Sequence, residues 1–179
     1  MDFDTYLESQ NSVLTSVNRD KFAEFIQGLR EIREAEGILW VAGNGGACST
    51  ASHAAGDFNK TTIGFGNKPI KTVSISDMSA LTTAFSNDID FNESISGPLD
   101  ILVSPNDGLL LLSVSGTSPN ILKALKIASD RQIATFCIFG EKGKDAAARS
   151  THSIVLESSD YQIVENAQMT LIHWITKIV

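Results

Sequence analysis

The chain has 179 residues, 42% of them hydrophobic and 20% charged, and a formal net charge of -7. That length and balance suit one globular domain with a single sizeable core, and they are unlike a disordered chain. The acidic excess argues against binding through a broad basic surface, so no nucleic-acid partner is expected, and no apolar run is long enough for a membrane-spanning helix, so no membrane is expected either.

The chain opens with Met1-Asp2-Phe3-Asp4, which is acidic and lacks the apolar stretch of a secretory leader. A short helix is expected around 3–16. Phe22, Phe25, Ile26, Leu29 and Ile32 fall at helical spacing with charges between them, which predicts an amphipathic helix over 19–35 that ends near Gly37. Both helices precede the first strand, and they are candidates for packing against another subunit. Ile38 to Ala42 is a short continuous apolar run, as in a strand buried on both faces. Strands follow at Ile70 to Ile75, Leu109 to Val114, Ile133 to Phe139 and Ser153 to Leu156. Helices are expected between them: from a cap at Asp77 to about Phe85, from Ser118-Pro119 to about Ser129, and over 142–149. A long helix closes the chain from Tyr161 to Ile178. Residues Thr61 to Lys68 read as an exposed loop. Strands alternating with helices predict a parallel sheet flanked on both faces. Cys48 and Cys137 are far apart in sequence, which fits free thiols in a reducing cytoplasm; Cys48 reads as a small filler near the glycine loop, not as a nucleophile.

Two strand ends carry unusual loops, and strand ends are where open parallel sheets bind ligands. Gly43-Asn44-Gly45-Gly46 permits a tight turn and a close backbone approach; by itself it is equally a plain turn. It is not a dinucleotide fingerprint, because Cys48 stands at the last position of G-x-G-x-x-G/A and no acidic residue ends the second strand. No nucleotide cofactor is expected. Ser113-Val114-Ser115-Gly116-Thr117-Ser118 crowds hydroxyls between a buried strand and a helix start. Helix N-termini favour anions, and with no lysine present the loop fits a monophosphate better than a nucleoside triphosphate with magnesium.

These loops, together with Ser76-Asp77 through Asn87-Asp88 and Phe91-Asn92, resemble the sugar isomerase (SIS) domain family, and within it the phosphoheptose (sedoheptulose 7-phosphate) isomerases. The resemblance covers nearly the whole chain and is read as a single SIS domain over 1–179, including N-terminal helices at about 3–36. It implies a five-stranded parallel sheet in a Rossmann-like three-layer α/β sandwich. It implies a homotetramer with active sites at subunit interfaces, interconversion of sedoheptulose 7-phosphate with the aldoheptose 7-phosphate used for surface-polysaccharide heptose, and zinc in several members. In the matching segments Asn44, Gly45, Gly46, Asp88, Ser113, Ser115, Thr117 and Ser118 stand at substrate- and phosphate-binding positions. Val114 replaces a frequent threonine, and Ala47 a frequent serine.

His53 and Asp57 are four residues apart and share a helix face; Glu165 and His173 lie on the terminal helix. The family pattern has glutamate at Asp57 and usually glutamine at Glu165. The four residues are the expected zinc ligands, two imidazoles and two carboxylates, and Asp57, Glu165 and His173 are the expected catalytic set. Eight residues of helix rise about 12 Å, so Glu165 and His173 meet one ion only by convergence or through another subunit. Asp57 or Glu165 is expected as the base and His173 as the acid of an enediol isomerisation. A non-catalytic sugar-phosphate sensor, or an isomerase of another sugar phosphate, would keep the same serine loop. His152, at the start of a strand, is expected to be structural.

Overall fold

The structure is a computed structural model that describes residues 2–179. Two helices come first, α1 (Phe3–Thr15) and α2 (Arg19–Glu34). Each is started by a side chain that satisfies free N–H groups: Asp2 accepts from Thr5 N, and Asn18 accepts from Asp20 N and Lys21 N. The sheet then begins. Its strands are β1 (Leu39–Gly43), β2 (Thr72–Ser74), β3 (Gly108–Ser113), β4 (Ala134–Gly140) and β5 (His152–Leu156), all parallel, in the order β2-β1-β3-β4-β5. This is the five-stranded parallel sheet that the alternation and the resemblance predict.

Successive strand residues point to opposite faces, and they divide the core in two. Leu39, Val41, Leu110, Leu112, Phe136 and Ile138 face one side, where they meet α2, α3 (Gly46–Gly56) and α9 (Tyr161–Ile178). Trp40, Ala42, Leu109, Leu111, Cys137 and Phe139 face the other, under α6 (Glu93–Leu102) and α7 (Pro119–Asp130). Asp107 pins the start of β1 to the turn before β3. It is 5% exposed and accepts from Ile38 N, Trp40 Nε1 and Ser104 N at 2.8–2.9 Å, so a buried carboxylate is fully partnered. Burial also pushes the Cys137 thiol up to about 12, which makes it inert filler. The two cysteines are free.

Four expectations need correction. The apolar face of α2 is not available to a partner: Phe25 and Leu29 are fully buried against this chain's own sheet. Asp77 does not cap a helix; it sits in a 3-10 turn (Ile75–Asp77) and accepts from Ser52 Oγ, while α5 (Ser79–Asp88) starts after Met78 without a side-chain cap. Residues 61–68 are not wholly a loop, because α3 runs on through a π-helical turn (Asp57–Thr61) into α4 (Thr62–Gly64), with Thr62 fully buried. Finally, α6 was not anticipated. Its Gly97-Pro98 pair reads as a break costing about 3 kcal/mol. Burial of every residue from Ser94 to Leu99 outweighs that cost. The short helix α8 (Lys144–Ala147) lies within the expected 142–149 segment.

Candidate functional site

The strand order places a topological switch at the carboxyl ends of β1 and β3. From β1 the chain continues into α3 on one face; from the adjacent β3 it continues into α7 on the other. The two following loops therefore part and leave a crevice between them. They are the glycine loop and the serine loop.

A reciprocal amide pair locks the loops together. Asn44 Nδ2 donates to Asn120 Oδ1 and Asn120 Nδ2 donates to Asn44 Oδ1, both at 2.9 Å, and the fully buried Asn120 also reaches Ser94 Oγ at 3.0 Å. Within the serine loop, Gly116 N donates to Ser113 Oγ and Thr117 N to Ser115 Oγ, so each hydroxyl keeps its own hydrogen for a ligand. Gly116 has φ +61, and a Cβ there would stand 2.5 Å from Gly143 Cα; only glycine fits this bend. Ser118 takes the N-cap position of α7 in extended conformation, yet its hydroxyl caps nothing. Gly45 likewise starts α3 without a side-chain cap. Two uncapped helix starts and three serines thus converge on one cavity of about 280 Å³, lined among others by Asn44, Gly46, Ser113, Ser115 and Ser118, with no lysine or arginine among the described residues of its wall. Thr117 is exposed and outside that lining; it contributes its backbone N–H to the loop.

The second constellation lies further along α3. His53, Asp57 and His173 each offer a ligand atom within 4.8 Å of the others. His53 Nε2 and His173 Nε2 are 2.9 Å apart, and Asp57 Oδ2 lies 3.4 Å from the first and 3.7 Å from the second. The π-helical turn begins at Asp57. It also lets Thr61 Oγ1 donate to Asp57 Oδ1 at 2.9 Å, which turns the other oxygen toward the imidazoles. A tetrahedral zinc ion bound at about 2.0–2.1 Å holds its nitrogens roughly 3.3 Å apart. The observed spacing is close to that, the donor types suit zinc, and both imidazoles are about half exposed, which leaves a side open to a further ligand.

Glu165 does not join this cluster. It lines the serine pocket instead, and its carboxylate lies against the bare Cα of Gly46, where a Cβ would stand 2.2 Å from Oε2. The reason is geometric. Both α3 and α9 start at the carboxyl end of the strands and pack on the same face, so Gly46 meets Glu165 at the top and His53 meets His173 about 10–12 Å lower. The expected four-ligand set is therefore divided between two levels. Asp88 is exposed at the end of α5 and lines neither the serine pocket nor the neighbouring cavity beside Cys48. His152 is structural as expected: it stacks on Phe136 at 4.9 Å, and burial lowers its pKa. Sequence reasoning missed Thr61 and Asn120. Thr61, four residues after Asp57 on a helix, was the available signal for the first; a polar residue directly after Pro119 was a weak signal for the second.

A SIS-domain profile matches residues 5–140. The chain belongs to the SIS-domain family. It is 31% identical to the phosphoheptose isomerase of Helicobacter pylori over 81% of this chain and 75% of that protein. It is 25% identical to a probable phosphoheptose isomerase of Thermoplasma volcanium over 100% of this chain and 91% of that protein. Among solved structures, phosphoheptose isomerase from Neisseria gonorrhoeae superposes with a TM-score of 0.86 at 20% identity, covering 97% of this chain and 93% of that one. At that identity the superposition speaks to the SIS fold, and it agrees with the strand order and layers seen here.

Proposed function

We propose that this chain is an aldose–ketose isomerase of the phosphoheptose isomerase type, acting on sedoheptulose 7-phosphate and the corresponding aldoheptose 7-phosphate. The observation that carries the reading is the pairing of a phosphate-type cavity with the His53–Asp57–His173 cluster on the same two helices. The names of the relatives point the same way. Ser113, Ser115 and Ser118, with the starts of α3 and α7, hold the phosphate through hydroxyl and N–H donors. Asp57 takes the proton from the carbon beside the carbonyl and returns it to the neighbouring carbon. Meanwhile a histidine of the cluster gives a proton to the carbonyl oxygen and takes one from the hydroxyl on the neighbouring carbon, the oxygen that becomes the new carbonyl. His53, Asp57 and His173 are the residues that would hold zinc, which when bound polarises the two sugar oxygens.

The same reading takes the chain as one SIS domain, which the packing of Val13 and Val17 into the core beside α9 supports. It takes the assembly as a homotetramer in the cytoplasm. Ile63, Phe65 and Trp174 are each at least 50% exposed and follow Asp57 and His173 along the chain, as suits a cluster covered by another subunit. Among the described residues no helix is long and apolar enough to cross a membrane.

The test is direct conversion of sedoheptulose 7-phosphate by the purified protein, with zinc and after chelation. Conversion that zinc stimulates supports the reading. Binding of the sugar phosphate without conversion under either condition overturns it in favour of a sensor or of a different sugar phosphate.

A further inference from the structure

The wall of the serine pocket combines features that work against each other. Its donors are neutral: three serine hydroxyls, the Asn44 amide and the N–H groups of two uncapped helix starts. Two such starts together amount to roughly one positive charge. A phosphate monoester brings a charge near -2. Among the described residues the one charged side chain in the lining is Glu165, and its sign is the same as the ligand's. Glu165 is partly buried and lies against Gly46, and among the described residues no side chain hydrogen-bonds to it.

A carboxylate accepts hydrogen bonds and donates none. In this position it repels bare phosphate and is satisfied only by a ligand that places a donor beside its phosphate. We propose that Glu165 is a specificity-determining residue of the pocket, admitting phosphate esters that carry a hydroxyl next to the ester and disfavouring phosphate that comes without one. The inference rests on the sugar-phosphate reading above and deepens it. The pocket does not read phosphate alone; it reads phosphate together with the polyol attached to it. A neutral amide of the same shape would accept the hydroxyl less strongly and would not repel the dianion.

Calorimetric titration of the purified chain and of Glu165→Gln at pH 7.5 tests this. The probes are inorganic phosphate, ethyl phosphate and glucitol 6-phosphate, an open-chain polyol phosphate that cannot isomerise. Glu165→Gln is expected to bind inorganic phosphate and ethyl phosphate about tenfold tighter, because a like charge has been removed at close range. Its affinity for glucitol 6-phosphate should change by no more than about threefold, since a weaker hydroxyl contact offsets the relieved repulsion. The preference for the polyol ester over ethyl phosphate therefore falls at least about threefold in the variant, and about tenfold where glucitol 6-phosphate affinity is unchanged. An unchanged preference, or ethyl phosphate that binds neither protein, overturns the role of Glu165 while leaving the sugar-phosphate reading in place. Failure of the parent chain to bind glucitol 6-phosphate overturns both. The side chain is isosteric and partly exposed, and matching melting temperatures would establish that both proteins are equally folded.

Discussion

The serine pocket and the histidine–aspartate cluster hang on the same pair of helices and are built in opposite ways. The pocket is mostly backbone: strand ends, helix starts, a bend that only glycine fits, and hydroxyls held by N–H groups of their own loop. The cluster is all side chain, about half exposed at both histidines, and held in place by one threonine. The first resembles a mould set by the fold. The second can be altered without disturbing the fold, and it is the part that can exchange protons.

Substitutions can test that division. The largest effect is expected from Asp57→Asn, which should lower turnover by about 10²–10⁴-fold, the usual worth of a positioned proton-transfer group, with phosphate affinity unchanged. Turnover near that of the parent would break the contrast at its centre. Gly116→Val should act in the opposite sense. Forcing a side chain into φ +61 against Gly143 costs on the order of 1–3 kcal/mol or more, so binding of glucitol 6-phosphate should fall and the melting temperature with it, while zinc still binds. Asn120→Ala removes both arms of the amide pair and strands a buried Ser94 hydroxyl; a loss of about 2 kcal/mol in denaturant unfolding is expected. Thr61→Val releases the oxygen that orients Asp57, and zinc affinity should weaken by about tenfold with the pocket unaffected.

The smallest effect belongs to the third histidine. Burial holds the folded-state pKa of His152 below its unfolded value near 6.5, so the unfolded chain binds the extra proton first. Stability contributed by neutral His152 is then present above about pH 6.5 and is lost as pH falls below it. His152→Gln should flatten that part of the melting-temperature profile without changing the pH dependence of turnover. A shift in the turnover profile would bring His152 into the chemistry.

The parallel sheet could be read from its apolar strands, because each is short, continuous and bounded by turn residues. The serine loop could be read because hydroxyls rarely crowd a strand-to-helix junction without a ligand. What stayed hidden was tertiary. Gly97-Pro98 looks like a break, and only the burial of six consecutive residues keeps α6 intact. Placing Glu165 with the histidines followed from the family pattern; the parallel course of α3 and α9, which separates it from them, cannot be seen in a local pattern. Asn120 was invisible for a related reason, since its partners Asn44 and Ser94 lie 76 and 26 residues away.

That parallel course has a consequence for how such a protein can change. Because Gly46 and Glu165 of the pocket wall are borne by the same regular helices as His53 and His173, the gap between these two levels cannot be stretched by inserting a residue or two into a turn. One added residue in α3 would carry His53 about 100° around the axis and off the groove, since the helix turns once every 3.6 residues. The separation can be reset only by moving the functional residues to positions a whole turn away, in steps of about 5.4 Å. The spacing of those two levels is therefore stepwise.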